Sequence, residues 1–152
     1  MEEKEVKHFV EKFFTEHGYN VTKEVYVHGY HVDIVAEKND QKYFVECKGA
    51  RYLRSHEIHV MVGQIVSKMH EVGPNIHYGL AMPYSLATYL REFSVEGIRT
   101  LNLHLFVLGQ SELWKGEVFH LDTENIAGFI QALKRDSEYA WTDLFTLRRK
   151  NV

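Results

Sequence analysis

Two short apolar segments constrain this chain more than any other feature. They are Val32-Asp33-Ile34-Val35-Ala36 and Tyr43-Phe44-Val45-Glu46-Cys47-Lys48-Gly49, separated by the polar Lys38-Asn39-Asp40-Gln41. Each reads as a strand, and Asn39-Asp40 suits the left-handed backbone of a tight turn. A hairpin that sets Lys38 opposite Gln41 carries Asp33 to a place directly opposite Glu46, with β-carbons about 4.5–5.5 Å apart. Lys48 shares that face, because strand side chains alternate. Two facing carboxylates repel. A divalent cation between them would turn that cost into a binding site, with Lys48 in reach.

An exposed cross-strand charge cluster would account for a Glu-x-Lys on its own. Here the flanking Val32, Ile34, Val35, Phe44, Val45 and Cys47 are the residues of a buried sheet, where ionisable groups persist when paired or metal-bound. Hard oxygen donors suit Mg2+ or Mn2+.

An Asp in one strand, Glu-x-Lys in the next and a Gln in the following helix resemble the PD-(D/E)XK nuclease superfamily. The residues are Asp33, Glu46, Lys48 and Gln64, and the resemblance covers roughly the first 85 residues. The order of helix, three strands, helix and strand is similar to archaeal Holliday-junction resolvases and type IV restriction enzymes. The resemblance implies an α/β fold, a three-layer αβββαβ core with a mixed sheet flanked by helices. It implies metal held by Asp33, Glu46 and the backbone carbonyl of Cys47, and a Gln64 that positions water or a phosphate oxygen. Lys48 would orient or deprotonate the attacking water, or stabilise charge growing on the phosphate. The implied products carry 5′-phosphate and 3′-hydroxyl ends, and DNA is the expected polymer. Some members have Gln-x-x-x-Tyr where this chain has Lys68. Resolvase-like members place a glutamate in the first helix where this chain has Lys7; Glu5 and Glu11 read as solvated.

A chain of 152 residues, 45% hydrophobic and 26% charged, is expected to fold as one domain, a core over about 1–85 with an elaboration over about 86–152. Its apolar runs are too short to span a bilayer, its start is no signal peptide, and one cysteine makes no internal disulfide. A cytoplasmic protein without membrane contact is expected. The net charge of −3 is unusual for a nucleic-acid binder. It directs attention to a local basic patch after the hairpin, Arg51, Arg54 and Lys68, as the phosphate-binding residues, and to Arg148-Arg149-Lys150.

Helical spacing of Val6, Phe9, Val10, Phe13 and Phe14 predicts a helix over Glu2–His17. Strands are expected over Asn20–His28, Ile76–Met82, Arg99–Leu108 and Val118–Leu121. In the hairpin, Val32, Ile34 and Ala36 fall on one face and Val35 and Phe44 on the other, so helices should cover both. Further helices are expected over His56–Val72, with a core stripe of Ile58, Val62, Ile65, Met69 and Val72, from Pro83 to about Phe93, and from Asp122 or Thr123 to Lys134. Cys47 should point into the core. His56, His59 and His70 lack zinc spacing and read as surface or DNA-facing. Trp114, Trp141, Tyr139 and Phe145 read as core or dimer packing. Cutting both strands needs two sites, so a homodimer through the segment beyond Arg99 is expected.

The reading is a metal-dependent DNA endonuclease, structure-specific or restriction-like. Its rival is a catalytically silent module on a nuclease fold that binds nucleic acid or protein.

Overall fold

In the computed structural model, residues 1–51 and 55–150 are described. The chain begins with α1 (Glu3–Glu16), whose Val6, Val10 and Phe14 are buried at one-turn spacing. A capping box between Glu2 and Glu5 starts it. Gly18, at φ 83°, ends it: Tyr19 N–H donates to the Phe14 carbonyl, Gly18 N–H to the Thr15 carbonyl, and the Tyr19 ring packs on Phe14.

Next come β1 (Asn20–Val27), β2 (Tyr30–Lys38) and β3 (Gln41–Cys47), then α2 (Ser55–Ser67) and β4 (Ile76–Pro83). α3 (Tyr84–Ala87) and a 3-10 turn (Thr88–Glu92) lead to α4 (Val95–Leu101), β5 (Leu103–Leu108) and β6 (Val118–Leu121). α5 (Thr123–Arg135) and α6 (Ser137–Lys150) complete the order. The six strands form one mixed sheet in chain order, antiparallel at β1–β2, β2–β3 and β5–β6 and parallel at β3–β4 and β4–β5. The β2–β3 register is the expected one, Ile34 opposite Val45 and Lys38 opposite Gln41. Asn39 takes φ 55° in the turn.

Helix α1 covers one face, on Ile34, Ala36, Val45, Phe106 and Leu108. Helices α2, α4, α5 and α6 cover the other, on Val35, Phe44, Leu80, Leu105 and Val107. Among the described residues no helix is long and apolar enough to cross a membrane.

Four expectations are corrected. Residues 99–101 are helix, not strand: Ser94 Oγ caps α4 by accepting from Gly97 N–H, and Asn102 closes it in the left-handed region at φ 50°. Helix α2 stops at Ser67, so Val72 is 94% exposed and the stripe is Ile58, Met61 and Ile65. The segment expected to be helical through Phe93 is short α3 plus a 3-10 turn. Helix α6 was not anticipated; Glu138 N–H donates to Asp136 Oδ1 at its start, and Ala140 and Leu144 are buried.

Candidate active site

The site forms where two strands change face together. Along β1, Val21 packs with the α1-side cluster, whereas Val25 and Val27 pack on the opposite one. Strict alternation would keep all three together. The break is Glu24, a non-glycine residue at φ 55°. Along β2, Val32 packs on the α2 side while Ile34 and Ala36 pack on the α1 side, which corrects the expectation that these three share a face. Pairing is in register on both sides of the break, Lys23 opposite Ile34 and Val25 opposite Val32. The reversal therefore centres on Glu24 and Asp33. A left-handed non-glycine residue costs about 1–3 kcal/mol, and such strain collects at functional sites.

Asp33 and Glu46 are the two polar residues fully buried among those described, at 5% and 6% exposure. The β2–β3 ladder ends at Ile34 and Val45. Just beyond it, Cys47 N–H donates to Asp33 Oδ2 at 2.8 Å, one residue along β3 from Glu46. Burial pushes the Glu46 carboxyl well above the ordinary carboxylate range; the Lys68 hydrogen bond opposes the rise and the Asp33 charge adds to it. Two neighbouring carboxylates repel, and a proton or a cation relieves the repulsion. These hard oxygens, with Glu24 and His31 alongside, fit a divalent cation. Glu24, His31 and Asp33 each bring a ligand atom within 4.8 Å of the others.

The cations are distributed differently from expectation. Lys48, just past β3, pairs with Glu57 Oε2 of α2 at 3.2 Å. Lys68, read as a phosphate contact, reaches inward to hydrogen-bond Glu46 Oε1. Lys7 of α1 lies 3.3 Å from Asp33 Oδ1. Gln64 is exposed on α2, one turn before Lys68. Lys48, Arg51 and Glu57 line a cavity of about 360 Å³ closed by Glu2, Glu3 and Lys4 at the start of α1. Arg54 lies outside the described residues. The Cys47 side chain is buried on the α1 side and burial raises its thiol pKa. A larger cavity, about 660 Å³, lies between α1, β6 and α6 and includes neither Asp33 nor Glu46.

Gly49 brings the loop after Lys48 against the start of α1. Ala50 N–H donates to the Met1 carbonyl, and a β-carbon on Gly49 would fall 2.3 Å from Glu3 N. Lys48 and Glu3 can line one cavity because residue 49 has no side chain.

Sequence reasoning left out Glu24, His31, Glu57 and Lys7. A signal existed for the first two. His28-Gly29 is a tight turn that sets Val27 opposite Tyr30, hence Glu24 opposite Asp33, and His31 stands two residues before Asp33. Lys7 carries none, because it reaches Asp33 only through the docking of α1 on the sheet. His56, His59 and His70 are exposed; His59 stacks on Phe93 and His70 on Tyr30. Glu5 belongs to the α1 cap and Glu11 pairs with Lys23.

Solved structures share the fold. A crystal structure of an fdxN element excision controlling factor protein from Anabaena variabilis is 23% identical, with a TM-score of 0.54, over 70% of this chain and 91% of that one. A structure of an XisH family protein from Nostoc punctiforme is 20% identical, with a TM-score of 0.51, over 69% of this chain and 91% of that one. At such identity they show a shared fold. No curated protein matches the chain. Residues 1–76 match the restriction endonuclease family of the Mrr catalytic-domain type, a stretch that holds Glu24, Asp33, Glu46, Lys48 and both inward-facing lysines. The chain belongs to the restriction endonuclease family.

Proposed function

We propose that the protein is a divalent-metal-dependent DNA endonuclease, structure-specific or restriction-like. The observation that carries the reading is the burial of Asp33 and Glu46, the two buried polar residues among those described, just past the end of the β2–β3 ladder. Burying two carboxylates is costly unless cations or a metal ion offset their charge. Asp33, Glu46 and the Cys47 carbonyl would hold Mg2+ or Mn2+. The bound ion supplies Lewis-acid polarisation of a phosphoryl oxygen and lowers the pKa of water.

The remaining roles belong to side chains. Lys48, held by Glu57, would orient or deprotonate the attacking water or stabilise charge on the phosphate. Gln64 would position water or a phosphate oxygen from the exposed side of α2. Arg51 lines the cleft beside Lys48, where a phosphate would approach. Lys68 would contact phosphate after release from Glu46. Two-strand cutting requires paired sites, so we assign a homodimer through the region beyond Arg99; a monomer in solution with DNA bound would remove that assignment.

One observation favours a second reading. Lys68 on Glu46 and Lys7 on Asp33 already neutralise both carboxylates. A catalytically silent module that binds nucleic acid or protein would need no more than this.

Cleavage of supercoiled plasmid, linear duplex, single strand, flap and four-way junction, with Mg2+, Mn2+ or EDTA, separates the two. Metal-dependent cutting should fall by about 10²–10⁴ in Lys48→Ala and vanish in Glu46→Gln. Binding without cutting on every substrate would decide for the silent module.

A further inference from the structure

Lys7 is more than a surface ion-pair partner. Its Nζ lies 2.8 Å from Glu24 Oε1, 3.1 Å from Glu3 Oε1 and 3.3 Å from Asp33 Oδ1. An ammonium has three N–H donors, and here three carboxylates from α1, β1 and β2 face it. The side chain is 20% exposed, and that of Asp33 is 8% exposed. Lys7 Nζ donates a hydrogen bond to Glu24 Oε1.

The two oxygens of Asp33 serve opposite sides. Oδ2 accepts from Cys47 N–H of β3, beside Glu46. Oδ1 faces Lys7, with His31 Nδ1 at 3.8 Å. His31 Nε2 in turn lies 2.6 Å from Glu24 Oε2. Glu24, His31 and Asp33 thus have the donor types and spacing of a divalent-ion site, and the Lys7 ammonium already contacts both of its carboxylates.

We propose that Lys7 is a built-in cation in the place of a second divalent ion, so that the protein takes up one exchangeable ion, at Asp33 and Glu46, and none at Glu24, His31 and Asp33. The inference rests on the metal-dependent reading above. Lys7 is a positioning residue: it neutralises Asp33 Oδ1 and leaves the Glu46 side of Asp33 for the ion. Its ammonium repels any divalent ion entering beside it.

The test is the number of Mn2+ ions bound, by titration calorimetry with electron paramagnetic resonance of free Mn2+, and needs no catalysis. Wild type should bind one ion. Lys7→Met keeps the apolar stem and removes the charge, and should bind two, the second lost on adding His31→Ala. Lys7→Arg retains the charge and should bind one. Two ions on wild type, or one on folded Lys7→Met, overturns the proposal. Should Lys7→Met fail to fold, Glu24→Gln decides: one ion retained supports the proposal, and loss of that ion overturns it. Wild type that takes up no Mn2+ while folded defeats the metal-dependent reading, and this proposal with it. Two ions on wild type defeats only the proposal.

Discussion

Lys68 and Glu46 form a pair whose strength depends on protons. Removing one partner of a buried ion pair costs about 3–5 kcal/mol, because the other charge stays buried and unmatched. Glu46 has an alternative, since burial holds its pKa high and a proton can replace the lysine. Lys68→Met should therefore destabilise the metal-free protein by about 3 kcal/mol at pH 8 and by clearly less at pH 5. Urea unfolding at the two pH values measures it; an equal loss at both would show that Glu46 does not take up the proton. Legibility at this scale was uneven. Asp33, Glu46 and Lys48 stand out in the sequence because charged residues interrupt apolar strands. The inward turn of Lys68 was not legible, because helix α2 ends at Ser67, before it, and no local pattern marks where its ammonium goes.

At the scale of elements, close approach makes the site. The loop after β3 lies against the start of α1 at Gly49, and a β-carbon there would meet backbone, which has nowhere to move. Gly49→Ala should cost about 1–3 kcal/mol in overpacking and also depress cleavage, since Lys48 is the neighbouring residue. Thermal unfolding and the plasmid assay check the two halves. On the other face, Leu144 anchors α6, fully buried in the cluster that α5 and the sheet share. Leu144→Ala should cost about 2–5 kcal/mol with Asp33, Glu46 and Lys48 untouched, read by denaturant midpoint. The β2–β3 hairpin was legible down to its register, because an Asn39-Asp40 turn and alternating apolar residues admit one pairing. Helix α4 was not, because Arg99 to Leu101 lead into the strongly apolar β5 and read as its beginning. Its end is set by Asn102 in the left-handed region.

Across the whole sheet, three histidines stand on adjacent strands opposite α2: His77 on β4, His104 on β5 and His120 on β6. His104 Nδ1 and His120 Nε2 are 2.9 Å apart. Burial, with the neighbouring histidines, lowers both rings to about 4. Below the ordinary value of about 6.5 the unfolded chain binds protons that the folded chain refuses. The contribution is therefore complete above about pH 6.5 and is lost as pH falls toward 4, by about 3 kcal/mol for one such ring and less than twice that for a hydrogen-bonded pair. Glu46 acts in the opposite direction, because its raised pKa favours the folded state as pH falls. Unfolding midpoints from pH 7 to 4.5 in a Glu46→Gln background isolate the histidines. His104→Gln should flatten the slope, and an unchanged slope would remove the cluster as its cause.

By itself the sequence determined the class of fold and the β2–β3 register, which sets Ile34 opposite Val45. These follow from turn chemistry and apolar periodicity, which act between residues close along the chain. Only the tertiary structure decided where the counter-charges go. Lys7 meets Asp33 because α1 packs across the sheet, Lys68 meets Glu46 because the chain turns after α2, and Lys48 meets Glu57 across a loop. A long, flexible lysine chooses its carboxylate after the elements have docked, by the cost of leaving a buried charge unpaired.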